Sequence, residues 1–341
     1  MHIAQVAPPW YQVPPLGYGG IEAMLDRLVD GLMERGHKVT LVAAGPDRTG
    51  AHFVQSYAEA PSDRIGESLP EVVHAAIAEQ AIDEHGPDIV HDHSLAGPLL
   101  AYGREAPTVV TAHGPVDGEF GEYYRRISPA VSMVAISEAQ RRLAPKLSWN
   151  ATVYNGTPID DYPFTEHKGD YAVWLGRMNP TKGTHIAIEA ARQAGIPLKV
   201  AGKCSEAAEQ RYFEEEVAPR LDGDVEWLGE ANMARKKELL PPARCLVFPI
   251  QWEEPFGIVM VEAMACGTPV IGLRRGSVPE VVEDGVTGFV CDDASELPDA
   301  INRVEELDPQ ACRDRAKRYF DVDAMVSGYE DVYRSLLEGR G

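Results

Sequence analysis

The stretch from Leu246 to Leu273 limits the fold of this chain more than any other part of it. It contains a buried strand at 246–249, a loop, a short helix at about Phe256–Ala265, and a second buried strand at 270–273. A loop that leads from a strand into a helix N-terminus forms an anion site, because backbone N–H groups and the helix dipole favour negative charge there. Gly257 has no side chain, so a phosphate can approach its backbone closely. The stretch therefore predicts an α/β unit with an anion site at the start of its helix.

Two carboxylates, Glu254 and Glu262, flank this helix start. Glu254 lies in the loop before the helix, whereas Glu262 lies nearly two turns inside it among apolar neighbours. Acids beside an anion site suit sugar and ribose hydroxyls better than the phosphate itself. The alternative is that Glu254 caps the helix and Glu262 faces water. If the whole interval were helical, the two would lie roughly 12 Å apart, too far for the acid and nucleophile of a retaining glycosidase, which lie about 5 Å apart.

Strands and helices alternate along both halves of the chain. The N-terminal half begins with a strand, a helix at Gly20–Arg35 and a second strand, which indicates parallel pairing with a right-handed crossover. Residues 48–69 show no sustained period and are predicted to be loop and irregular edge structure. From Tyr171 the alternation starts again after a stretch rich in turn residues. We therefore predict two doubly wound, Rossmann-like α/β domains, at 1–158 and 159–321, with ligands beyond the carboxyl ends of the strands.

Two cations flank the loop that follows the first strand of the second half. The sequence GRMNPTKG at 176–183 places Arg177 and Lys182 just before a helix N-terminus. It is not a P-loop, whose lysine follows the second glycine. Arginine offers a planar fork and lysine a point charge, so the pair can grip a diphosphate. The alternative is that both are solvated surface cations. In a chain with more acidic than basic residues, however, two cations at one loop are stronger evidence for a binding site.

Two features of the N-terminal half fall where a doubly wound domain binds ligands. The first strand leads through GYGG at 17–20 into a helix, but Glu22 replaces the third glycine of a dinucleotide fingerprint. A phosphate or sugar site and a plain tight turn are equally supported there. His91 and His93 end one strand, and His113 ends another. His91 and His93 share a strand face without an evident third metal ligand, so a structural role is favoured for them.

Composition excludes several classes of function. The chain of 341 residues has 32 basic and 53 acidic residues, and its net charge of −21 repels nucleic acid and anionic membranes. Five scattered cysteines without C-x-x-C argue against a disulfide framework or a thiolate zinc site. The sequence shows neither a signal peptide nor an apolar stretch of about 18 residues, so the cytoplasm is expected. Asp-x-Asp occurs at 222–224 and 321–323, where turn and cap roles explain it better than a metal site.

Two motifs resemble those of a known family. The sequence EPFGIVMVEAMACGTPV at 254–270 resembles the Glu-x7-Glu signature of the family 4 retaining glycosyltransferases, and Gly-Arg-x4-Lys-Gly at 176–183 resembles their other signature. The resemblance covers essentially the whole chain and is strongest over 176–290. It implies the GT-B fold, in which two Rossmann-like domains face a central cleft. It also implies that a final helix at about 322–341 packs back on the N-terminal acceptor domain, while 159–321 forms the donor domain.

The resemblance implies a role for each candidate residue. His113 is expected to contact the transferred sugar, Glu254 to anchor sugar hydroxyls, and Glu262 to hold the ribose. Arg177 and Lys182 are expected to stabilise the leaving diphosphate, so neither a metal nor another cofactor is expected. The remaining expected contacts to the donor are Gly19 and Gly20 near the diphosphate and acceptor, Gly229 near the base, and Phe256, Gly257 and Ile258 at the helix start.

We therefore predict a retaining, metal-independent hexosyltransferase that moves a sugar from a nucleotide-diphosphate donor to an acceptor hydroxyl. A UDP-sugar is favoured, and GDP-mannose is the second choice. A GT-B-like nucleotide-sugar epimerase and a non-catalytic nucleotide-sugar-binding protein remain as alternatives. An epimerase would need an acid/base set, which is not evident. A non-catalytic binder is not supported, because both candidate cations and both glutamates are present. The sequence does not define the acceptor (a small molecule, a glycan or a lipid) or the oligomeric state, because acceptor loops vary most within a fold.

Overall fold

A computed structural model of the chain describes residues 1–17 and 19–339. The chain divides into two compact units. Unit 1 comprises Met1–Gly156 and the C-terminal residues from Val322, and unit 2 comprises Thr157–Asp321. None of the described helices combines the length and the apolar character that crossing a bilayer requires.

Each unit is built on one parallel sheet. The strands, in chain order, are β1 His2–Val6, β2 Lys38–Ala44, β3 His52–Tyr57, β4 Ile89–Asp92, β5 Thr108–Ala112, β6 Ser132–Ala135, β7 Trp149–Thr152, β8 Ala172–Leu175, β9 Leu198–Ala201, β10 Val225–Trp227, β11 Cys245–Phe248, β12 Val270–Leu273 and β13 Gly288–Cys291. In the described residues, the sheet of unit 1 has seven strands in the order β3-β2-β1-β4-β5-β6-β7, and that of unit 2 has six in the order β10-β9-β8-β11-β12-β13. The order reverses between β1 and β4 and between β8 and β11, so both sheets are doubly wound, as predicted.

Helices connect these strands. In chain order they are α1 Gly20–Glu34, α2 Ser68–His85, α3 Gly118–Ile127, α4 Glu138–Leu143, α5 Thr184–Ala194, α6 Ala207–Tyr212, α7 Met233–Leu239, α8 Ile258–Ala265, α9 Val278–Val281, α10 Leu297–Asn302, α11 Pro309–Phe320 and α12 Val322–Glu338. A π-helical turn at Phe213–Val217 continues α6, and Gly97–Gly103 forms a 3-10 helix.

Helix α12 completes the core of unit 1. Met325, Val326, Tyr329 and Tyr333 are buried in the same apolar cluster as the inward face of α1 and strands β1, β4 and β5. A carboxylate of α12, Glu330, accepts from the Arg35 guanidinium after α1 over 2.6 Å. The final helix therefore belongs to the first unit, although the whole of unit 2 separates it from that unit along the chain.

Three elements of unit 1 differ from the sequence prediction. The loop predicted over 48–69 is wrong in part, because β3 pairs with β2 there as the edge strand of the sheet. Its side chains are only partly buried, so it lacks the apolar run of an inner strand. Strand β7 is the opposite edge, and its partly exposed WNAT sequence likewise gives no strand signal. Helix α3 has the sequence GEFGEYYRRI, in which two glycines interrupt the helical pattern.

Gly31→Ala in α1 is expected to destabilise unit 1, although alanine is the better helix former. A methyl group at Gly31 would lie 2.6 Å from Cγ2 of Val326, which is buried on α12, and such overpacking costs about 1–3 kcal/mol. The same substitution at Gly20 places the methyl group more than 4 Å from any described atom outside its chain neighbours and the backbone of its own helix. Gly20→Ala is therefore expected to be neutral or stabilising by up to about 1 kcal/mol. Urea unfolding followed by circular dichroism measures both, and equal effects would contradict the close packing of α12 on α1.

Candidate active site

Loops that follow neighbouring strands of unit 2 meet at one edge of its sheet. Strands β9, β8 and β11 lie side by side and run in the same direction. Their carboxyl ends deliver Gly202–Lys203, Gly176–Arg177 and the 249–257 loop to that edge. The strand order reverses between β8 and β11, which is where doubly wound sheets bind their ligands.

Lys182 and Glu254 form an ion pair that joins two of these loops. The Trp252 indole N–H donates to Oε2 of Glu254 over 2.9 Å, and Nζ of Lys182 lies 5.1 Å from the centre of the same indole ring. The two loops meet at Gly183, where a β-carbon would lie 2.2 Å from the carbonyl oxygen of Pro249. Glycine is therefore required at 183 for the lysine and the glutamate to meet.

Arg177 is held by carboxylates at the start of α6. Its Nε–H donates to Glu209 over 2.9 Å, and its Nη2 donates to Glu206 over 3.1 Å. Lys203 donates to the same oxygen of Glu206 over 2.6 Å. Burial alone would raise the pKa of Glu209, but hydrogen bonds from two backbone N–H groups and from Arg177 bring that pKa below its ordinary value. Arg177 is thus fixed by a carboxylate that is ionised at neutral pH, with a second cation beside it.

Helix α8 begins with backbone N–H groups that no described residue uses. It starts at Ile258 rather than Phe256, because Gly257 has a φ of 70° and cannot continue a right-handed helix. The amides of Gly257, Ile258 and Val259 make no hydrogen bond within the described part of the chain, as expected of a first helical turn. The Phe256 side chain is buried against Phe320, with 5.8 Å between the ring centres. The Phe256 side chain is therefore a packing group, and its backbone carbonyl accepts from the Ser277 hydroxyl over 2.7 Å.

Glu262 belongs to a different cluster from Glu254. It is 2% exposed within α8. Its oxygens accept from Nζ of Lys236 over 2.9 and 3.0 Å and from the Tyr162 hydroxyl over 3.0 Å. The structure therefore does not bring the two glutamates of the Glu-x7-Glu motif into one cluster, and Glu262 is covered by a lysine of α7.

The other predicted binding glycines of the two units lie at loop ends. Gly229 follows β10, has a φ of 72°, and accepts the N–H of Gly202 over 2.9 Å. In unit 1, Gly19 precedes α1 with a φ of 156°, and Gly20 is the first residue of that helix. Tyr18 of the predicted GYGG loop lies outside the described residues.

His113 follows β5 in unit 1 and bonds to His93, which follows the neighbouring strand β4. Nε2 of His113 lies 2.8 Å from Nδ1 of His93. Burial lowers the pKa of His113 to about 4, and it lowers the pKa of His93 well below its ordinary value. His91 is fully buried, with its ring nitrogens bonded to the hydroxyls of Tyr333 and Thr111. His91 and His93 therefore have the structural role predicted for them, and both support the position of His113.

The described residues contain no group of three or more His, Cys, Asp or Glu side chains arranged to hold a metal ion. In the first Asp-x-Asp sequence, Asp222 accepts the N–H of Asp224 over 3.1 Å and pairs with Arg192 over 2.8 Å. In the second, Asp323 pairs with Arg35. The first sequence therefore has the turn role predicted for it, whereas Asp323 of the second forms an ion pair.

Sequence reasoning missed the partners of the predicted site residues. Glu209 contacts Arg177, and Lys203 contacts Glu206, which is another partner of Arg177. Trp252 contacts Glu254, the partner of Lys182, and Lys236 pairs with Glu262. One signal was available for Lys203, since it follows a glycine at the end of a buried strand, as Arg177 does. The others lie on helices or loops whose contacts depend on the order of the strands.

Each half of the chain matches a model of a known protein family. The family model described as Glycosyltransferase Family 4 matches residues 18–160, and the model described as Glycosyl transferases group 1 matches residues 161–319. The alpha-maltose-1-phosphate synthase of Mycobacterium tuberculosis is 28% identical, over 95% of this chain and 97% of that protein. The phosphatidyl-myo-inositol mannosyltransferase of Mycobacterium leprae is 25% identical, over 98% of this chain and 97% of that protein.

A solved structure shows the same fold. Anabaena HepE in complex with UDP and glucose superposes with a TM-score of 0.77 at 20% identity, over 98% of this chain and 100% of that one. The sheets of the two units and this structural likeness confirm the predicted GT-B fold class.

Glu22→Gln is expected to stabilise the protein at alkaline pH and not at acid pH. Glu22 is buried in the first turn of α1, and burial raises its pKa to about 7 from an ordinary value of 4.5. A carboxyl whose pKa is raised in the folded state favours folding when protonated, so the free energy of unfolding falls as the pH rises from 4.5 to 7. Removing the charge is expected to raise the free energy of unfolding by about 2–3 kcal/mol at pH 8 and to leave it unchanged at pH 4.5.

Urea unfolding at the two pH values measures this difference. Glu34→Gln, at the exposed end of the same helix, is the control for the change in net charge. An equal gain for Glu22→Gln at both pH values would contradict the raised pKa of this carboxyl.

Proposed function

Because this chain belongs to the family 4 glycosyltransferases and is a GT-B hexosyltransferase that uses a nucleotide sugar, we propose that it transfers a hexose from a UDP-sugar to an acceptor hydroxyl, with retention and without a metal ion. The observation that carries this proposal is the Lys182–Glu254 ion pair beside the open amides of α8. It combines a cation for the leaving diphosphate with a carboxylate for the sugar.

The leaving diphosphate needs its developing negative charge stabilised. Lys182 and Arg177 are held at the strand ends of unit 2, and the Gly257 and Ile258 amides add the positive end of a helix. When the diphosphate takes Lys182, Glu254 loses its cation and becomes free to accept from a sugar hydroxyl. These fixed charges supply what a metal ion supplies in other diphosphate sites, which is the basis for proposing transfer without a metal.

Retention is better explained by same-face attack than by double displacement. Glu254 and Glu262 belong to separate clusters, and Glu262 is buried with Tyr162 and Lys236 on its oxygens. A double displacement needs two carboxyl groups about 5 Å apart, one of them free to attack the sugar. We therefore assign Glu254 to the sugar hydroxyls and Glu262, with Lys236, to the ribose, and we leave proton removal from the acceptor to the departing diphosphate.

The nucleotide base is the least constrained part of the donor. Gly229 lies at the end of β10, at the side of the sheet beyond Arg177 and Lys203, and its open backbone favours the approach of a base. The solved HepE complex contains UDP, which supports the choice of a UDP-sugar. The mannosyltransferase of M. leprae, with coverage of both chains of at least 97%, supports GDP-mannose as the second candidate.

Lys182→Met is expected to reduce transfer strongly while leaving the fold intact. The methionine keeps an apolar stem over Trp252 and removes only the ammonium group. Loss of one fixed donor to the diphosphate is expected to lower kcat by about 10²–10³-fold, measured as the release of nucleotide diphosphate from a panel of UDP-sugars and GDP-mannose. Lys317→Met, an exposed lysine paired with Asp160, makes the same change in net charge and is expected to keep wild-type rates. A folded Lys182→Met protein with more than a third of wild-type activity would refute the assignment.

Calorimetric titration with UDP and with GDP tests the choice of base. UDP is expected to bind about tenfold more tightly, a difference of about 1.4 kcal/mol, and its binding is expected to be unchanged in EDTA. Tighter binding of GDP would replace the UDP-sugar with GDP-mannose. Loss of UDP binding in EDTA would instead show that a metal ion takes part.

A further inference from the structure

A continuous chain of hydrogen bonds runs from helix α12 to His113 through the core of unit 1. Gln5, in the middle of β1, donates from Nε2 to the Tyr333 hydroxyl over 3.1 Å. Its Oε1 lies 3.0 Å from Nε2 of His93. Gln5 and Tyr333 are fully buried, and His93 is nearly so. Because water has little access to these groups, each donor has to find its acceptor within the chain.

The orientation of the Gln5 amide fixes the position of the proton on His93. A carbonyl oxygen only accepts, so Nε2 of His93 must carry the hydrogen that bonds to Oε1 of Gln5. Burial lowers the pKa of His93 well below its ordinary value, so the ring is neutral at pH 7 and has a single N–H. Nδ1 of His93 is therefore a bare acceptor.

The same reasoning then fixes the proton on His113. Nε2 of His113 lies 2.8 Å from the bare Nδ1 of His93 and must donate to it. Burial lowers the pKa of His113 to about 4, so this ring is also neutral and has one N–H. Nδ1 of His113 is left as an acceptor, and it makes no hydrogen bond to any residue that the structure describes.

The other arm of the chain agrees with this direction. The Tyr333 oxygen accepts from Gln5, so its own proton goes to Nδ1 of His91, 2.7 Å away. Nε2 of His91 then donates to the Thr111 hydroxyl over 2.8 Å, and Thr111 shares a hydrogen bond with Tyr329 over 3.0 Å. Rotating the Gln5 amide by half a turn would reverse every bond from Thr111 to His113 and make Nδ1 of His113 a donor.

We propose that Gln5, held by Tyr333, acts through His93 as a positioning residue that fixes His113 as the tautomer protonated on Nε2. His113 then presents Nδ1 to the ligand as a hydrogen-bond acceptor and recognises a hydroxyl group rather than a carbonyl or phosphate oxygen. The tautomer itself stands without the proposed function, whereas the identity of the hydroxyl as one on the donor sugar rests on it.

The tautomer is measurable directly in the full-length protein. Long-range ¹H–¹⁵N correlation spectra of histidine-labelled protein distinguish a protonated ring nitrogen from a bare one, and the His113 signals are identified by their loss in His113→Asn. We expect a proton on Nε2 and a bare Nδ1 without any ligand present. A proton on Nδ1 of His113 would overturn the proposal and leave the proposed transfer reaction untouched.

Two tyrosines on the same buried face of α12 provide a matched pair of variants. Tyr333→Phe removes the hydroxyl that holds the Gln5 amide, so His113 is expected to show both tautomers. The rate constant kcat is expected to fall by about threefold to tenfold, the effect of weakening one hydrogen bond, with the UDP-sugar that the wild type uses. Tyr329→Phe removes a hydroxyl only from the end of the hydrogen-bond chain that is farthest from His113. This variant is expected to keep the wild-type His113 spectrum and a kcat within about twofold of the wild-type value.

Comparing the two variants distinguishes a positioning role of the Tyr333 hydroxyl from a contribution to stability alone. Both variants lose one buried hydroxyl, so thermal unfolding is expected to show similar losses of stability. Equal His113 spectra in the two variants would contradict the role of Tyr333 and Gln5. If the spectra behave as expected and no sugar is transferred by the wild type, the proposed function fails and the tautomer assignment stands.

Discussion

Buried carboxylates hold the cations of unit 2 at the strand ends. The Glu209 side chain is 2% exposed and the Glu254 side chain 10%, whereas their partners Arg177 and Lys182 are 34% and 21% exposed. A buried carboxylate without a partner is costly, so each of these acids fixes the cation that covers it. The cation in turn is the side of the pair that a ligand can reach. In a chain with a net charge of −21, these two ion pairs keep positive charge in place at the strand ends of unit 2.

The buried histidines of unit 1 follow a different rule, because they are neutral. Burial lowers the pKa of His74 to about 4 and the pKa values of His91 and His93 well below the ordinary value. A histidine whose pKa is lowered on folding costs stability when it is protonated, so unit 1 loses stability as the pH falls below about 6.5. The cations at the strand ends of unit 2 are held by charge, whereas the histidines after β4 and β5 in unit 1 are held by hydrogen bonds.

Local sequence predicts those parts of the molecule whose chemistry is local. Strand β12 has the predicted bounds, because Pro269 comes directly before its apolar run. The spacing of Arg177 and Lys182 likewise places both in one loop. The edge strands β3 and β7 were missed because an edge strand is only partly buried. The start of α8 was predicted two residues early, at Phe256, because nothing in the sequence shows that Gly257 takes a left-handed conformation.

The partners of the site residues could not be predicted, because they depend on which strands are neighbours. Arg177 meets Glu206, beside Lys203, only because β8 lies next to β9, and His93 meets His113 only because β4 lies next to β5. Tyr329 and Tyr333 have the spacing of an apolar helix face, and the sequence does not indicate that their hydroxyls form hydrogen bonds in the core.

A buried polar network stabilises a fold only when all its members are satisfied. In the part of the chain that the structure describes, no nitrogen or oxygen of Gln5, His91, His93 or these two tyrosines is buried without a partner. The chain of bonds therefore has its one unused acceptor at Nδ1 of His113, beyond the carboxyl end of β5. A network whose nitrogens and oxygens in the core all have partners fixes the direction of the hydrogen bond that His93 makes with His113. Under the tautomer assignment proposed above, a helix from the far end of the sequence therefore sets which nitrogen His113 leaves as an acceptor.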